Sequence, residues 1–103
     1  MYYYLIIAAS YNVSINNQLD AIFITEDFIL IDDHHLKYKN EIIEFEYLIY
    51  TNKLNITYKN KNILLFENNI PVTNFYHQTT LENIYYITED NLEQKINDII
   101  NNE

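Results

Sequence analysis

The chain has 103 residues and a formal charge of −9, with fifteen acidic residues against six lysines. This length suits a single domain, residues 1–103, and the lack of cysteine excludes disulfides and thiolate metal sites. The lack of glycine excludes a phosphate-binding glycine loop and a dinucleotide-binding fingerprint, and the negative charge disfavours nucleic acid and anionic membranes as partners.

The first predicted element is a strand at residues 2–9, where a continuous apolar run is typical of a strand covered on both faces. The leading sequence "MYYYLIIAAS" has no basic region and is too short to span a bilayer, so we expect a cytoplasmic protein. A short helix at residues 14–20 stays open. Residues 21–31 are predicted to form two short strands around a polar turn at residues 25–27.

The clearest strand signal is "EIIEFEYLIY" at residues 41–50. Strict alternation divides this strand into an inward and an outward face. The inward face is Ile43, Phe45, Tyr47 and Ile49, and the outward face is Glu44, Glu46, Leu48 and Tyr50.

Two further segments are predicted to extend this strand into an antiparallel meander over residues 42–66. "LNITYK" alternates again, with Leu54, Ile56 and Tyr58 inward, and "NILLF" follows. The links at residues 51–53 and 60–62 have hairpin length. Asparagine replaces glycine in them as the residue that tolerates positive φ.

The C-terminal part of the chain is predicted to end in a helix. Pro71 marks an edge strand or a loop, and "ENIYYI" is the last predicted strand. The tail from residue 88 to 101 is predicted to be helical, with Thr88 as its cap and Glu89 and Asp90 complementing the helix dipole. An apolar stripe is expected to pack on the sheet, formed by Leu92, Ile96, Ile99 and Ile100.

The predicted fold class is therefore α+β and mostly β, an antiparallel meander with one C-terminal helix, arranged as a sandwich or a partly open barrel. The segment from Ala21 to Phe66 resembles the early strands of small pleckstrin-homology and GRAM-type domains, in the hairpin "IFITEDFILI", the strand "EIIEFEYLIY" and the pair "LNITYKNKNILLF". The family's helix commonly carries a tryptophan, which this chain lacks, and its lipid-binding members use a basic loop where this chain is acidic. The resemblance implies architecture only, without lipid binding.

The quartet Asp32-Asp33-His34-His35 is the stretch that most resembles a chemical site. A metal site needs three or four converging ligands, whereas neighbouring side chains of an extended segment point to opposite faces. Serine, cysteine and lysine nucleophiles do not accompany the histidines in a recognisable arrangement. We expect a solvated turn with no metal, no cofactor and no catalysis, in which flanking carboxylates raise the histidine pKa values.

A negatively charged surface is predicted on the outward face of residues 41–50. Glu44 and Glu46 lie two residues apart, about 6.6 to 6.8 Å along a strand, which is close to the spacing of phosphates in extended nucleic acid. An ordinary solvent-exposed sheet face explains the same alternation. Leu48 and Tyr50 add the apolar and aromatic character of a protein interface. The predicted partner-binding residues are Asp32, Asp33, Glu41, Glu44, Glu46, Leu48 and Tyr50.

The functional hypothesis that these features favour is a small, acidic, non-catalytic inhibitor. It would bind a basic, nucleic-acid-handling protein by imitating nucleic acid, as anti-defence proteins such as anti-CRISPRs do. Abundant Ile, Asn, Tyr and Lys have AT-rich codons and indicate a low-GC phage, mobile element or bacterium. A toxin-immunity protein, a pleckstrin-homology-like adaptor module, and a small metal-dependent enzyme centred on His34 and His35 remain as alternatives.

Overall fold

The computed structural model describes residues 2–7, 21–24, 27–51, 56–87 and 92–101 of the chain. These ranges contain nine strands and one helix. The elements are β1 (Tyr2–Ile7), β2 (Ala21–Ile24), β3 (Phe28–Leu30), β4 (His35–Tyr38), β5 (Glu41–Thr51), β6 (Ile56–Tyr58), β7 (Phe66–Glu67), β8 (Ile70–Pro71), β9 (Ile84–Ile87) and α1 (Leu92–Asn101).

Four strands form a parallel sheet in the order β2-β1-β5-β9. Leu5 of β1 lies opposite Leu48 of β5, which lies opposite Ile84 of β9. Residues 4–7 and 84–87 are all buried. Strands of a parallel sheet are covered on both faces, and this burial explains why β1 and β9 are apolar at successive positions.

A second sheet has the order β6-β3-β4-β5 and uses the first part of β5. The pairs β3–β4 and β4–β5 are antiparallel, whereas β3 and β6 are parallel. The long strand β5 therefore belongs to both sheets. A separate antiparallel pair joins β7 to β8.

Two apolar cores hold these layers together. The first core draws on both sheets and contains Leu5, Ile7, Phe28, Leu30, Leu36, Phe45, Leu48, Tyr50, Ile84 and Tyr86. The second core lies between the parallel sheet and α1 and contains Tyr4, Ile6, Ile49, Tyr85, Ile87, Ile96 and Ile99. The predicted packing of the helix stripe on a sheet is thus confirmed for Ile96, Ile99 and Ile100.

The side-chain alternation of β5 shifts by one residue within the strand. Phe45 and Leu48 are three residues apart, yet both lie in the first core together with Tyr50. Ile49 lies in the second core. Residues 46–47 therefore interrupt the period of two. The pairing of β5 with β1 keeps one register on both sides of this point, with Tyr2 opposite Phe45 and Tyr4 opposite Tyr47.

The predicted class, α+β and mostly β with one C-terminal helix, is confirmed. Through β5 the two sheets form one seven-stranded mixed sheet, and among the described residues it does not close into a barrel. The predicted meander over residues 42–66 is wrong, because β6 pairs in parallel with β3 instead of with β5, and "NILLF" contributes only Phe66 to a strand. The hairpin that the family resemblance implies is also wrong, since β2 pairs with β1, whereas β3 pairs with β4 and β6.

Asparagine does replace glycine at positive φ, in two turns that were not predicted. The β4–β5 turn uses Lys39 at 49° and Asn40 at 65°, and the β7–β8 turn uses Asn68 at 52° and Asn69 at 64°. Two consecutive positive φ values match the right-handed twist of the flanking strands in a two-residue hairpin. In the predicted turn at residues 60–62, the first asparagine side chain instead accepts a hydrogen bond from the backbone N–H two residues on.

Several predictions concern residues outside the described ranges. They are the end of the first strand at residues 8–9, the helix at residues 14–20, the polar residues 25–26, the turn residues 52–53, the inward Leu54 and the helix-capping residues 88–90. Within the ranges that the structure describes, no helix has the length and apolar character needed to cross a membrane.

Candidate functional site

The quartet at residues 32–35 turns the chain between the antiparallel strands β3 and β4, as predicted. Asp32 Oδ1 accepts a hydrogen bond of 2.8 Å from the backbone N–H of His34. The carbonyl of His34 in turn accepts one of 2.9 Å from the N–H of Phe45 in β5. An aspartate that binds the backbone two residues on is a standard means of closing a turn.

His35 lies between two carboxylates. Its Nδ1 is 2.8 Å from Asp32 Oδ1, and its Nε2 is 3.4 Å from Glu44 Oε2 across the β4–β5 pair. The hydrogen bond to Asp32 and the charges of Asp32 and Glu44 raise the pKa of His35 against the opposing effect of desolvation. For Asp32, desolvation acts to raise the pKa, but hydrogen bonds from His34 and His35 outweigh it and the pKa is lowered.

The contacts of His35 occupy its imidazole ring within the protein. Both ring nitrogens contact carboxylates, so a general-base role would require Nε2 to leave Glu44 first. His34 is likewise engaged, with Nδ1 at 3.0 Å from the Phe45 carbonyl oxygen. Among the described residues, no group of three or more histidine, cysteine, aspartate or glutamate side chains could hold a metal ion.

The His35 contacts predict a particular pH dependence of stability. Because the folded-state pKa of His35 is raised, its contribution is fully present below the unfolded pKa of about 6.5 and is lost as pH rises through the folded value. We therefore expect the difference in free energy of unfolding between wild-type and His35→Gln protein to shrink from about pH 6.5 upward. Urea denaturation across this range measures the difference. A gap that does not change with pH would contradict the contact.

Three carboxylates from separate chain segments line a pocket of about 600 Å³, which we call the acidic pocket. They are Asp33 of the β3–β4 turn, Glu46 of β5 and Glu82, which precedes β9. His34, Tyr47 and residues 78–85 complete its lining, with the exception of Thr79 and Ile84. The carboxylates are exposed or half-buried, so a partner can reach them.

Asn83 holds these segments together. Its side-chain Nδ2 donates hydrogen bonds of 2.6 Å to the carbonyl of Asp33 and 2.8 Å to the carbonyl of Glu46. Its own carbonyl accepts a 2.9 Å bond from the N–H of Leu48. The backbone under two of the carboxylates is thus fixed before a partner arrives.

The structure brings together four of the predicted partner-binding residues. Asp33 and Glu46 line the acidic pocket, and Asp32 and Glu44 are joined through His35 beside it. Glu41 is exposed but lies at the opposite end of the β4–β5 pair, across from Tyr38.

The prediction that Leu48 and Tyr50 lie on the outward face is wrong. Both side chains are 0% exposed and belong to the first core. The shift at residues 46–47 reverses the faces, and the second part of β5 is covered on both sides. Neither residue can contact a partner on this surface.

Sequence reasoning missed Glu82 and Asn83. The sequence pattern places them at the start of the predicted strand "ENIYYI", and nothing in that local pattern indicates that the two residues lie against β5. Comparison with family models, curated proteins and solved structures found no match.

Proposed function

We propose that the chain is a small non-catalytic inhibitor that binds a basic, nucleic-acid-handling protein through the acidic pocket. The observation that carries this proposal is the presence of Asp33, Glu46 and Glu82 in the lining of one concave surface, on a chain with a charge of −9. A phage, a mobile element or a low-GC bacterium is the proposed source, and the cytoplasm is the proposed location.

A lysine or arginine side chain of the partner matches this surface chemically. Carboxylates form short, charge-assisted hydrogen bonds with ammonium and guanidinium groups. Because Asn83 already fixes the backbone of Asp33 and Glu46, little ordering remains to oppose binding.

The carboxylates of the acidic pocket would imitate nucleic acid by binding the basic side chains that normally contact its phosphates. In a nucleic-acid-handling protein, lysine and arginine contact the phosphates of the bound strand. Carboxylates that occupy those side chains exclude the strand from the site. The overall negative charge would also accelerate encounter with a basic surface at low salt.

The experiment that tests this function is a competition between the chain and nucleic acid. We would capture partners from extracts of the source cells on the immobilised protein and purify the captured protein. We expect it to bind nucleic acid and to release it as the inhibitor is added. A captured protein that binds both at once would contradict the proposal, and a secreted toxin as the captured protein would favour the immunity alternative.

A further inference from the structure

Two aromatic side chains project from the segment at residues 74–78, which we call the aromatic loop. Phe75 is 90% exposed and Tyr76 is 60% exposed. Their ring centroids lie 5.6 Å apart at an interplanar angle of 90°. A phenylalanine in water forgoes the stabilisation that burial gives, so the paired exposure calls for an explanation other than folding.

The aromatic loop is held in place by its own hydrogen bonds. Asn74 Oδ1 accepts bonds of 2.9 Å from the N–H of Tyr76 and 3.0 Å from the N–H of Gln78. Asn74 Nδ2 donates to Gln78 Oε1 at 2.9 Å, and the carbonyl of His77 accepts from the N–H of Tyr86 in β9. A loop ordered in this way presents its rings at a low entropic cost.

A groove of about 780 Å³ runs between the aromatic loop and α1. Ile99 and Tyr85 contribute to its lining along with the loop rings. Partial burial and the charge of Lys95 lower the pKa of His77 against the opposing charge of Asp98. Lys95 and Asp98 also line the groove, and their opposite charges offset each other. The apolar part of its lining, from Phe75, Tyr76, Tyr85 and Ile99, suits an apolar side chain better than a cation.

The groove and the acidic pocket adjoin each other. Gln78 and Tyr85 line both, and Gln78 Nε2 donates a 2.7 Å hydrogen bond to the carbonyl of Glu82 in the acidic pocket. An apolar half and an acidic half therefore form one surface. This is the arrangement of aromatic anchors beside charged contacts that protein interfaces use.

We propose that the aromatic loop and its groove bind an apolar side chain from the same segment of the partner protein whose lysine or arginine enters the acidic pocket. The inference rests on the proposed function and specifies the partner's chemistry. The segment that fits is basic and apolar together, and a purely basic segment fills only half of the surface.

Two fluorescent peptides of equal length and equal lysine content serve as probes, with lysine alternating with leucine in one and with serine in the other. Fluorescence anisotropy measures their affinity for each protein variant. We expect wild-type protein to bind the leucine peptide about 10-fold more tightly than the serine peptide. The double variant Phe75→Ser with Tyr76→Ser should bind the two peptides with equal affinity. It should keep the wild-type circular dichroism spectrum, because both side chains are exposed.

Ile42→Ser is the matched control, since Ile42 is 66% exposed on the other sheet. It should keep the ratio. The inference would be overturned if wild-type protein bound the two peptides equally well. It would also be overturned if the loop variant kept its preference for the leucine peptide, or if Ile42→Ser lost that preference to the same extent.

A second variant separates this inference from the proposed function. Glu46→Lys with Glu82→Lys should weaken binding of both peptides and leave their ratio in place. If the double lysine variant binds both peptides more weakly, while the loop variant binds both with wild-type affinity, the inference fails and the proposed function stands. If it binds both as wild type does, the acidic pocket is not a binding site and the proposed function fails as well.

Discussion

Replacing Tyr50 by alanine is expected to lower the free energy of unfolding by about 3 to 5 kcal/mol. The side chain is 0% exposed in the first core, and its ring meets Phe28 and Tyr86 edge-on at centroid distances of 6.0 and 5.1 Å. Removal of the ring leaves a cavity that these neighbours cannot fill without moving. Since small proteins have total stabilities of about 5 to 15 kcal/mol, the variant would lose a large part of its stability.

Two comparison variants make this result specific. Tyr50→Phe keeps the ring and removes only the hydroxyl, which lies 3.1 Å from the Tyr58 hydroxyl, so a loss of about 1 kcal/mol is expected. Tyr76→Ala changes an exposed ring and should stay within about 0.5 kcal/mol of wild type. Urea denaturation followed by circular dichroism measures all three. A Tyr50→Ala protein that unfolds at the wild-type midpoint would contradict the buried position.

Reversing two charges in the acidic pocket is expected to slow association with the basic partner by about 10-fold or more, because long-range attraction steers the encounter. The variant is Glu46→Lys with Glu82→Lys. Its association rate should also depend less on salt than the wild-type rate does. The half-buried or exposed positions of both side chains should allow the variant to fold.

The matched control is Glu41→Lys with Glu67→Lys, which changes the net charge equally at two exposed residues outside the acidic pocket. Association kinetics at two salt concentrations compare the two variants. The control should retain most of the wild-type rate. Equal slowing by both variants would assign the effect to net charge and would remove the acidic pocket from the proposal.

Local patterns predicted the elements well and their partners poorly. The apolar run of β1 predicts a strand covered on both faces, "ENIYYI" predicts the last strand, and the apolar stripe of α1 predicts a helix that packs on a sheet. The structure has all three. Continuous apolar runs are also typical of parallel strands. The alternation of β5 favoured an antiparallel arrangement instead, so the parallel pairing was not predicted. Pairing of β1 with β5 joins residues some forty positions apart, and a short-range pattern carries no such information.

The candidate site was predicted in part for the same reason. Asp33 and Glu46 were identified by charge, but the pocket between them depends on Asn83, which reaches both from a distant segment. Leu48 and Tyr50 were misplaced because strict alternation cannot anticipate a one-residue shift within β5. A shift of this kind reverses the face of every residue that follows it.

Nuclear magnetic resonance mapping of the purified complex tests most directly whether the acidic pocket is the binding surface. Backbone amide signals of the labelled chain would be recorded with and without the captured partner. We expect the largest shifts at Asp33, Glu46 and Asn83, which bring the acidic pocket together. Shifts confined to residues outside the acidic pocket, such as the exposed Ile29 and Lys37 of the second sheet, would contradict the proposed function.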